Sequence, residues 1–301
     1  MRRLVIFVPV LLIASCDTTR FAATTSASLA VRASEAIEQH WDPELVGDAM
    51  PGSILQLEGV YAVAPDDERL GLALLRAYTS YAYGWVEDEA EEAEARGDLD
   101  AQEALLVRAR LLHERAKNLG LAILRARDAG LDEAIRGGAD ALASYLEARY
   151  RDRESLPLVF WTGYAWLSAI NAGRTPELIL ELPVARAFLE RALAIDESYF
   201  HYAGLLAIAA MESSTATSVG GDTERGRALF ERALAATERR FFAVQLECAR
   251  TYALGTGNRA LYVTLLREII DGGDPAPELR LANRIARRRA IRALRRVDEL
   301  F

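Results

Sequence analysis

The sequence predicts an all-α protein in which consecutive helices pair as hairpins. Apolar residues recur three and four positions apart along nearly every segment after residue 30, which is the period of one face of an α-helix. Strict alternation of apolar and polar residues, the pattern of a half-buried strand, is sustained nowhere. Clusters of Gly, Pro and Asp interrupt the helical pattern often enough to leave helices of about 10 to 20 residues. These observations together indicate an array of helical hairpins.

The composition sets the broad class of the protein. Of the 301 residues, 51% are hydrophobic, which excludes a disordered chain and allows a large core. The 36 Lys and Arg residues stand against 44 Asp and Glu residues, so the net charge is -8. An acidic chain is a poor ligand for the phosphate backbone, and a nucleic-acid partner is therefore not expected.

The N-terminus has the organisation of an export signal. Arg2 and Arg3 precede an apolar run over residues 4–13, and small residues follow it. The run is far shorter than the roughly 20 residues that a membrane-spanning helix needs. Residues 1–15 are thus predicted to be a signal peptide that is removed.

The four residues that end with Cys16 resemble the lipobox of bacterial lipoproteins, in which the Cys is lipidated and becomes the first residue of the mature chain. An ordinary signal peptide that happens to contain a Cys is the alternative. Several acyl chains hold a protein stably on a membrane, whereas one chain is marginal. The small polar residues 16–30 are predicted to form a tether after the lipidated Cys. Asp17 leaves the choice between inner and outer membrane open.

The next elements are predicted from interruptions in the helical pattern, where Gly, Pro and short polar residues favour turns. The predicted breaks lie at residues 51–52, 65–67, 97–98, 137–138, 155–157, 173–176, 220–222, 255–257 and 272–275. Residues 31–301, which these breaks divide into helices, are predicted to form a single helical repeat domain.

Three of the predicted helices share a pattern of a small residue, a bulky residue four positions later and Ala three positions after that. The matches are Ala109, His113 and Ala116; Ala185, Leu189 and Ala192; and Gly226, Phe230 and Ala233. The pattern resembles the second helix of a tetratricopeptide repeat, where small residues let two helices pack closely. The matches are spaced more widely than the repeat length of about 34 residues. The resemblance implies a tetratricopeptide-like α-solenoid with insertions in its loops.

Several ordered segments together resemble the TatT-type T component of TRAP transporters, from about residue 48 to the C-terminus. The most specific segments are residues 65–67, 74–85, 108–109 with 115–116, 160–166, 220–222, 281–283 and 298–301. The resemblance implies a tetratricopeptide-like fold, lipid anchoring, and partnership with the solute-binding protein of a TRAP system, with a homotrimer as one state of assembly. The solute is not implied, and residues 129–153 match nothing in the family.

The predicted function is therefore that of a lipid-anchored, periplasm-facing accessory component of TRAP-type solute uptake in a bacterial envelope. A helical-repeat lipoprotein that only assembles envelope complexes is the alternative. An enzyme is not expected, because the sequence has no nucleophile elbow, phosphate-binding Gly loop or metal-binding His motif. Neither a metal nor a cofactor is predicted. His113 and Cys248 are interpreted as core residues.

Aromatic residues are the candidates for a solute site. Tyr and Trp combine an apolar body with a polar tip, so they suit the wall of a pocket for an apolar or amphipathic solute. They also fill the interfaces of helical hairpins, and this alternative stays open. The candidate lining residues are Tyr78, Tyr81, Trp85, Trp161, Trp166 and Tyr202.

The sequence contains two runs of like charge. Residues 87–94 contain six carboxylates and no base, and residues 280–296 contain eight Arg. Each run is predicted to be the solvated face of a helix. For the Arg-rich run, contact with anionic headgroups or an acidic partner is the alternative.

Overall fold

A computed structural model of the protein describes residues 36–215 and 221–301. All regular structure in these residues is helical, and the prediction of an all-α fold is confirmed. The predicted signal peptide, Cys16 and the whole predicted tether lie outside the described residues. None of the described helices combines the length and the apolar character that a membrane crossing requires.

The helices are numbered here in chain order. The first group is α1 Pro43–Val63, α2 Glu68–Tyr81, a π-helical segment Ala82–Val86, α3 Glu87–Ala95, α4 Leu99–Arg127, α5 Leu131–Arg136, α6 Ala139–Arg149, α7 Leu156–Gly173 and α8 Pro176–Ile179. The second group is α9 Leu182–Ile195, α10 Tyr199–Ser214, α11 Thr223–Ala236, α12 Phe242–Glu247, a π-helical segment Cys248–Ala253, α13 Arg259–Asp271, a 3-10 turn Pro277–Leu279, α14 Arg280–Arg295 and α15 Val297–Leu300.

Short polar side chains fix where many helices begin. Asp42, Asp67, Asp98, Asp222 and Asn258 each stand before the first helical residue and accept a hydrogen bond from a backbone N–H of the first turn. Those N–H groups have no partner within the helix, so the cap satisfies donors that would otherwise depend on water. The breaks predicted next to four of these residues therefore have a local cause.

The predicted break at residues 51–52 is wrong, because α1 continues through Pro51 and Gly52. Pro removes one helical hydrogen bond and strains the preceding turn. On the same helix Val46, Met50 and Ile54 are buried against the core. Their tertiary packing stabilises the continuous helix and outweighs the local preference for a break.

Glycines set the close packing of the central helices. A Cβ atom on Gly120 of α4 would lie 2.1 Å from Thr162 Oγ1 of α7, and one on Gly163 would lie 2.6 Å from Phe188 Cβ of α9. Only a residue without a side chain fits at either position. Helices α4, α7 and α9 consequently form a densely packed layer.

The small-bulky-small pattern marks buried faces in the structure. All nine of its residues, on α4, α9 and α11, are buried. A Cβ atom on Gly226 would lie 2.2 Å from Ser213 Oγ of α10, so α11 approaches α10 closely. The helix contacts are thus those that the pattern predicts, and its assignment to a tetratricopeptide repeat stays a prediction.

Candidate functional site

A cavity of 1310 Å³ lies beside the packed layer. Pockets for small molecules usually measure about 300 to 1,000 Å³, so this cavity has room for a long or branched molecule. Its wall is built mainly from α1, α2, α3, α4, α7, α10, α12 and α14 together with the two π-helical segments.

Both π-helical segments contribute to the cavity wall. The first supplies Tyr83 and Trp85, and the second supplies Arg250 and Thr251. A π-helical turn contains an extra residue and so shifts the side chains that follow, which is why such turns are frequent at functional sites. The sequence carries no local signal for either segment, and helical periodicity does not predict them.

One part of the wall is aromatic. Trp161 and Tyr164 of α7 are joined there by Phe200 of α10 and by Phe241. The ring centroids of Trp161 and Phe200 lie 4.8 Å apart, and those of Trp161 and Tyr164 lie 5.9 Å apart, both in edge-to-face geometry. Such a surface suits the apolar part of a ligand.

The backbone is strained where α10 begins. Phe200, His201 and Tyr202 have φ angles of 47°, 57° and 64°, in the left-handed region that non-Gly residues rarely adopt. Regular right-handed helix starts after them. Phe200 and His201 line the cavity. Strain of this kind persists only where the surroundings fix it, and it concentrates at ligand sites.

Another part of the wall is polar. The Tyr83 hydroxyl donates to Glu247 Oε1 at 3.1 Å, and Arg250 lies 3.8 Å from the same carboxylate oxygen. A second nitrogen of Arg250 lies 2.8 Å from Glu91 Oε1. These residues come from distant parts of the chain and meet on one side of the cavity.

Glu91 is the most strongly perturbed of these carboxylates. Burial by itself would raise the pKa of Glu91, but Arg250, Arg289 and Arg292 outweigh that effect and lower the pKa to about 2. Burial raises the pKa of the Tyr164 hydroxyl, and the negative charge of Glu247 adds to the increase. At neutral pH the polar wall therefore presents ionised Glu and Arg together with neutral phenols.

The two charged runs pair with each other, and the prediction of two solvated faces is wrong for their inner residues. Asp88 of α3 is buried, 2.6 Å from Arg292 and 2.7 Å from Arg288 of α14. Arg296 also lies 3.5 Å from Glu94. Each run supplies the counter-charges of the other, and this pairing cannot be predicted from either run by itself. The acidic partner considered for the Arg-rich run is this chain's own α3.

The structure divides the six candidate lining residues. Trp85 and Trp161 lie on the cavity wall, and both are buried. The indole N–H of Trp85 donates to Pro43 O at 2.8 Å. Gly47 leaves room for this indole, since a Cβ atom there would lie 2.2 Å from Trp85 Nε1. Contact of Trp85 or Trp161 with a solute stays a prediction.

Tyr78, Tyr81, Trp166 and Tyr202 are not part of the cavity wall. Burial and the neighbouring Glu58 carboxylate raise the pKa of the Tyr78 hydroxyl. The remaining three pack elsewhere. The Tyr81 hydroxyl accepts a hydrogen bond from Arg108 at 3.2 Å, and the indole N–H of Trp166 donates one to Glu181 at 2.5 Å. Tyr202 packs against the apolar core formed by the helices from α10 to α14.

The interpretation of His113 and Cys248 as core residues is confirmed. His113 is buried and its Nε2 lies 2.7 Å from Glu87 Oε1. Cys248 is buried, and burial raises the pKa of its thiol to about 12, which leaves it protonated and unreactive. Residues 36–215 and 221–301 contain no group of three or more His, Cys, Asp or Glu side chains arranged to hold a metal ion.

The fold defines an all-helical protein with a large cavity that is aromatic on one side and charged on another. The model of the family described as TRAP transporter T-component matches residues 39–301, and the chain belongs to this family. The family resemblance of the ordered segments is thereby confirmed. Comparison with curated proteins finds no match to the chain. The protein is accordingly a component of TRAP transport.

Proposed function

We propose that the protein is a lipid-anchored, periplasm-facing accessory component that holds an amphipathic solute and engages the solute-binding protein of its TRAP system. The observation that carries this proposal is the cavity of 1310 Å³ within a TRAP transporter component. An accessory protein that only joined other proteins would not need an internal space of this size. Apolar and polar walls in one cavity suit a molecule with both characters.

The lipid anchor is proposed at Cys16. Burial of acyl chains contributes about 0.8 kcal/mol for each methylene, which is enough for stable attachment when several chains are present. In Cys16→Ser we expect an uncleaved chain that incorporates no labelled fatty acid, because Ser has no thiol for acylation. Equal incorporation of the label by this variant and the wild type would contradict the proposed anchor.

Solute and partner are tested together on the full chain purified from detergent extracts of membranes. Ala243 lines the cavity and retains accessible surface, so Ala243→Trp places a large side chain in the cavity. Ala104 is exposed on α4 away from the cavity, and Ala104→Trp is the matched control. We expect a solute-binding protein to co-purify with the wild type. Organic extraction should release an amphipathic molecule from the wild type and Ala104→Trp but not from Ala243→Trp.

Two results would contradict the proposal. Equal amounts of the released molecule from Ala243→Trp and the wild type would show that the cavity is not its site. Recovery of envelope-assembly proteins without a solute-binding protein would favour the alternative of a scaffold lipoprotein. The exposed apolar side chains of Trp41, Leu45 and Leu55 near and on α1 offer such a scaffold a contact surface.

A further inference from the structure

The polar wall of the cavity presents both signs of charge to its interior. The side chains of Arg250, Glu91 and Glu247 line the cavity and are 34%, 21% and 20% exposed. A ligand in the cavity therefore meets a cation and two carboxylates within one region.

Glu91 already has a full set of cations, whereas Glu247 does not. Three guanidinium groups lie within 4 Å of Glu91: those of Arg250 at 2.8 Å, Arg292 at 2.7 Å and Arg289 at 3.7 Å. Glu247 accepts the hydrogen bond from Tyr83, and an ionised carboxylate has about four acceptor sites. Glu247 is thus the carboxylate on this wall with capacity for a further donor.

Arg289 is the complementary group. Its side chain is 1% exposed, contributes to the cavity wall and lies with its guanidinium 4.3 Å from the centre of the Tyr83 ring. One nitrogen donates to the Tyr83 carbonyl, and Nε lies 3.4 Å from Asp88 Oδ1 and 3.7 Å from Glu91 Oε2, whereas Nη1 has no partner among the described residues. A buried donor without an acceptor is costly, which favours an acceptor from outside the chain.

The charges that the cluster presents to the cavity are balanced. Of the cluster residues that line the cavity, Arg250 and Arg289 stand against Glu91 and Glu247, while Asp88 behind them pairs with Arg288, Arg289 and Arg292. A ligand with a net charge would introduce one uncompensated charge beside these partly buried groups. A head that carries one positive and one negative group adds no net charge and can pair with both signs.

We infer that the polar wall binds the head of a zwitterionic amphiphile. The anionic group of the head pairs with Arg250 and Arg289. The cationic group faces Glu247 and the ring of Tyr164, because a carboxylate and an aromatic face both attract a cation. The apolar chain lies along the aromatic wall. This inference rests on the proposed function, since it requires that the cavity hold an amphipathic solute.

The test compares dodecyl compounds that differ only in their heads. The full chain is purified in dodecyl maltoside, which serves as the uncharged reference occupant. Native mass spectrometry then measures retention of dodecylphosphocholine, dodecanoate and dodecyltrimethylammonium at equal concentrations. We expect the wild type to retain the zwitterion about ten-fold more than either singly charged compound, since each of those leaves one charge unpaired.

Two variants should shift this preference in opposite directions. Glu247→Gln leaves the cluster with an excess positive charge, so retention of dodecanoate should rise relative to dodecyltrimethylammonium. Arg250→Gln leaves an excess negative charge and should produce the reverse. Opposite shifts cannot result from a general loss of folding. Glu103→Gln and Arg295→Gln, at exposed positions outside the cavity wall, are the matched controls and should keep the wild-type ranking.

The outcomes separate this inference from the proposed function. If the wild type and both cavity variants rank the three heads alike, the zwitterion site is wrong. The cavity could still hold an amphiphile in that case. Retention of all the dodecyl compounds by the wild type, together with their exclusion by Ala243→Trp, would support this. If Ala243→Trp retains as much of every compound as the wild type, the cavity is not an amphiphile site and both proposals fail.

Discussion

Two carboxylates, the buried Glu212 and the partly buried Glu91, are both held by Arg residues, but their surroundings differ. Glu212 on α10 is 1% exposed and accepts hydrogen bonds from Arg186 at 2.5 Å, from Arg225 at 2.8 Å and from the backbone N–H of Asp222 at 3.0 Å. It is not part of the cavity wall. Glu91 lies on that wall, and its network includes Arg289, whose Nη1 has no partner in the described residues.

The difference separates a structural ion network from a binding surface. The network of Glu212 connects α9, α10 and α11, and none of its buried side-chain nitrogen or oxygen atoms lacks a hydrogen-bond partner among the described residues. The network of Glu91 also connects distant helices, yet it keeps an unsatisfied donor beside a space large enough for a ligand. Buried polar groups are normally paired, and an exception beside a cavity is informative.

The largest expected effect on stability follows the removal of both cations from the network of Glu212. In Arg186→Ala with Arg225→Ala, the buried Glu212 loses its counter-charges, and the free energy of unfolding should fall by about 3 to 5 kcal/mol. Urea denaturation measures this change. Adding Glu212→Gln should recover part of the loss, because the amide needs no counter-ion. A decrease in the free energy of unfolding of less than about 1 kcal/mol would show that the network of Glu212 is not structural.

A smaller effect is expected for Glu91→Gln, and it should depend on pH. The pKa of Glu91 falls from its usual 4.5 to about 2, so its contribution to stability is present above about pH 5 and is lost as the pH falls toward 2. Near neutral pH the variant should be less stable than the wild type by about 2 kcal/mol.

Urea denaturation of wild type and Glu91→Gln at several pH values measures this difference. The two proteins should converge as the pH approaches 2, because the wild-type carboxyl becomes protonated there. A difference that stays constant from pH 7 to the acid limit would contradict the ionic contribution of Glu91.

The smallest effect is expected for Arg250→Gln. The Arg250 side chain retains accessible surface in the cavity, and Glu91 keeps Arg289 and Arg292 as partners after the substitution. The free energy of unfolding should therefore change by less than about 1 kcal/mol. Thermal unfolding followed by circular dichroism provides the measurement. A loss comparable to that of the Arg186 and Arg225 double variant would mean that both networks are structural.

Most of the fold could be predicted from local signals. Periodicity identifies helices because one face of each is buried, and residues such as Asp67, Asp98 and Asp222 mark their starts through backbone capping. The break expected at residues 51–52 failed because the buried face of α1 contributes more than the cost of one Pro. Burial of that face depends on tertiary contacts that no window of sequence contains.

The site was less predictable. The spacing of Tyr78, Tyr81 and Trp85 suggests one shared helix face, yet the cavity wall includes Trp85 and neither Tyr. The rings of Tyr81 and Trp85 do stack, with centroids 6.2 Å apart, but only Trp85, which lies within the π-helical segment Ala82–Val86, reaches the cavity wall. The ion pairs between α3 and α14 join residues about 200 positions apart, and charge alone does not specify which distant helix a charged run meets.

The pairing of α3 with α14 also bears on the order of folding. Before α14 is available, the six carboxylates of α3 repel one another, and repulsion between neighbouring turns opposes helix formation. The Arg residues that relieve this repulsion lie near the end of the chain, so a contact of very high sequence separation completes the cavity. A nascent or C-terminally truncated chain would thus hold an incomplete cavity wall and an acidic segment without its counter-charges.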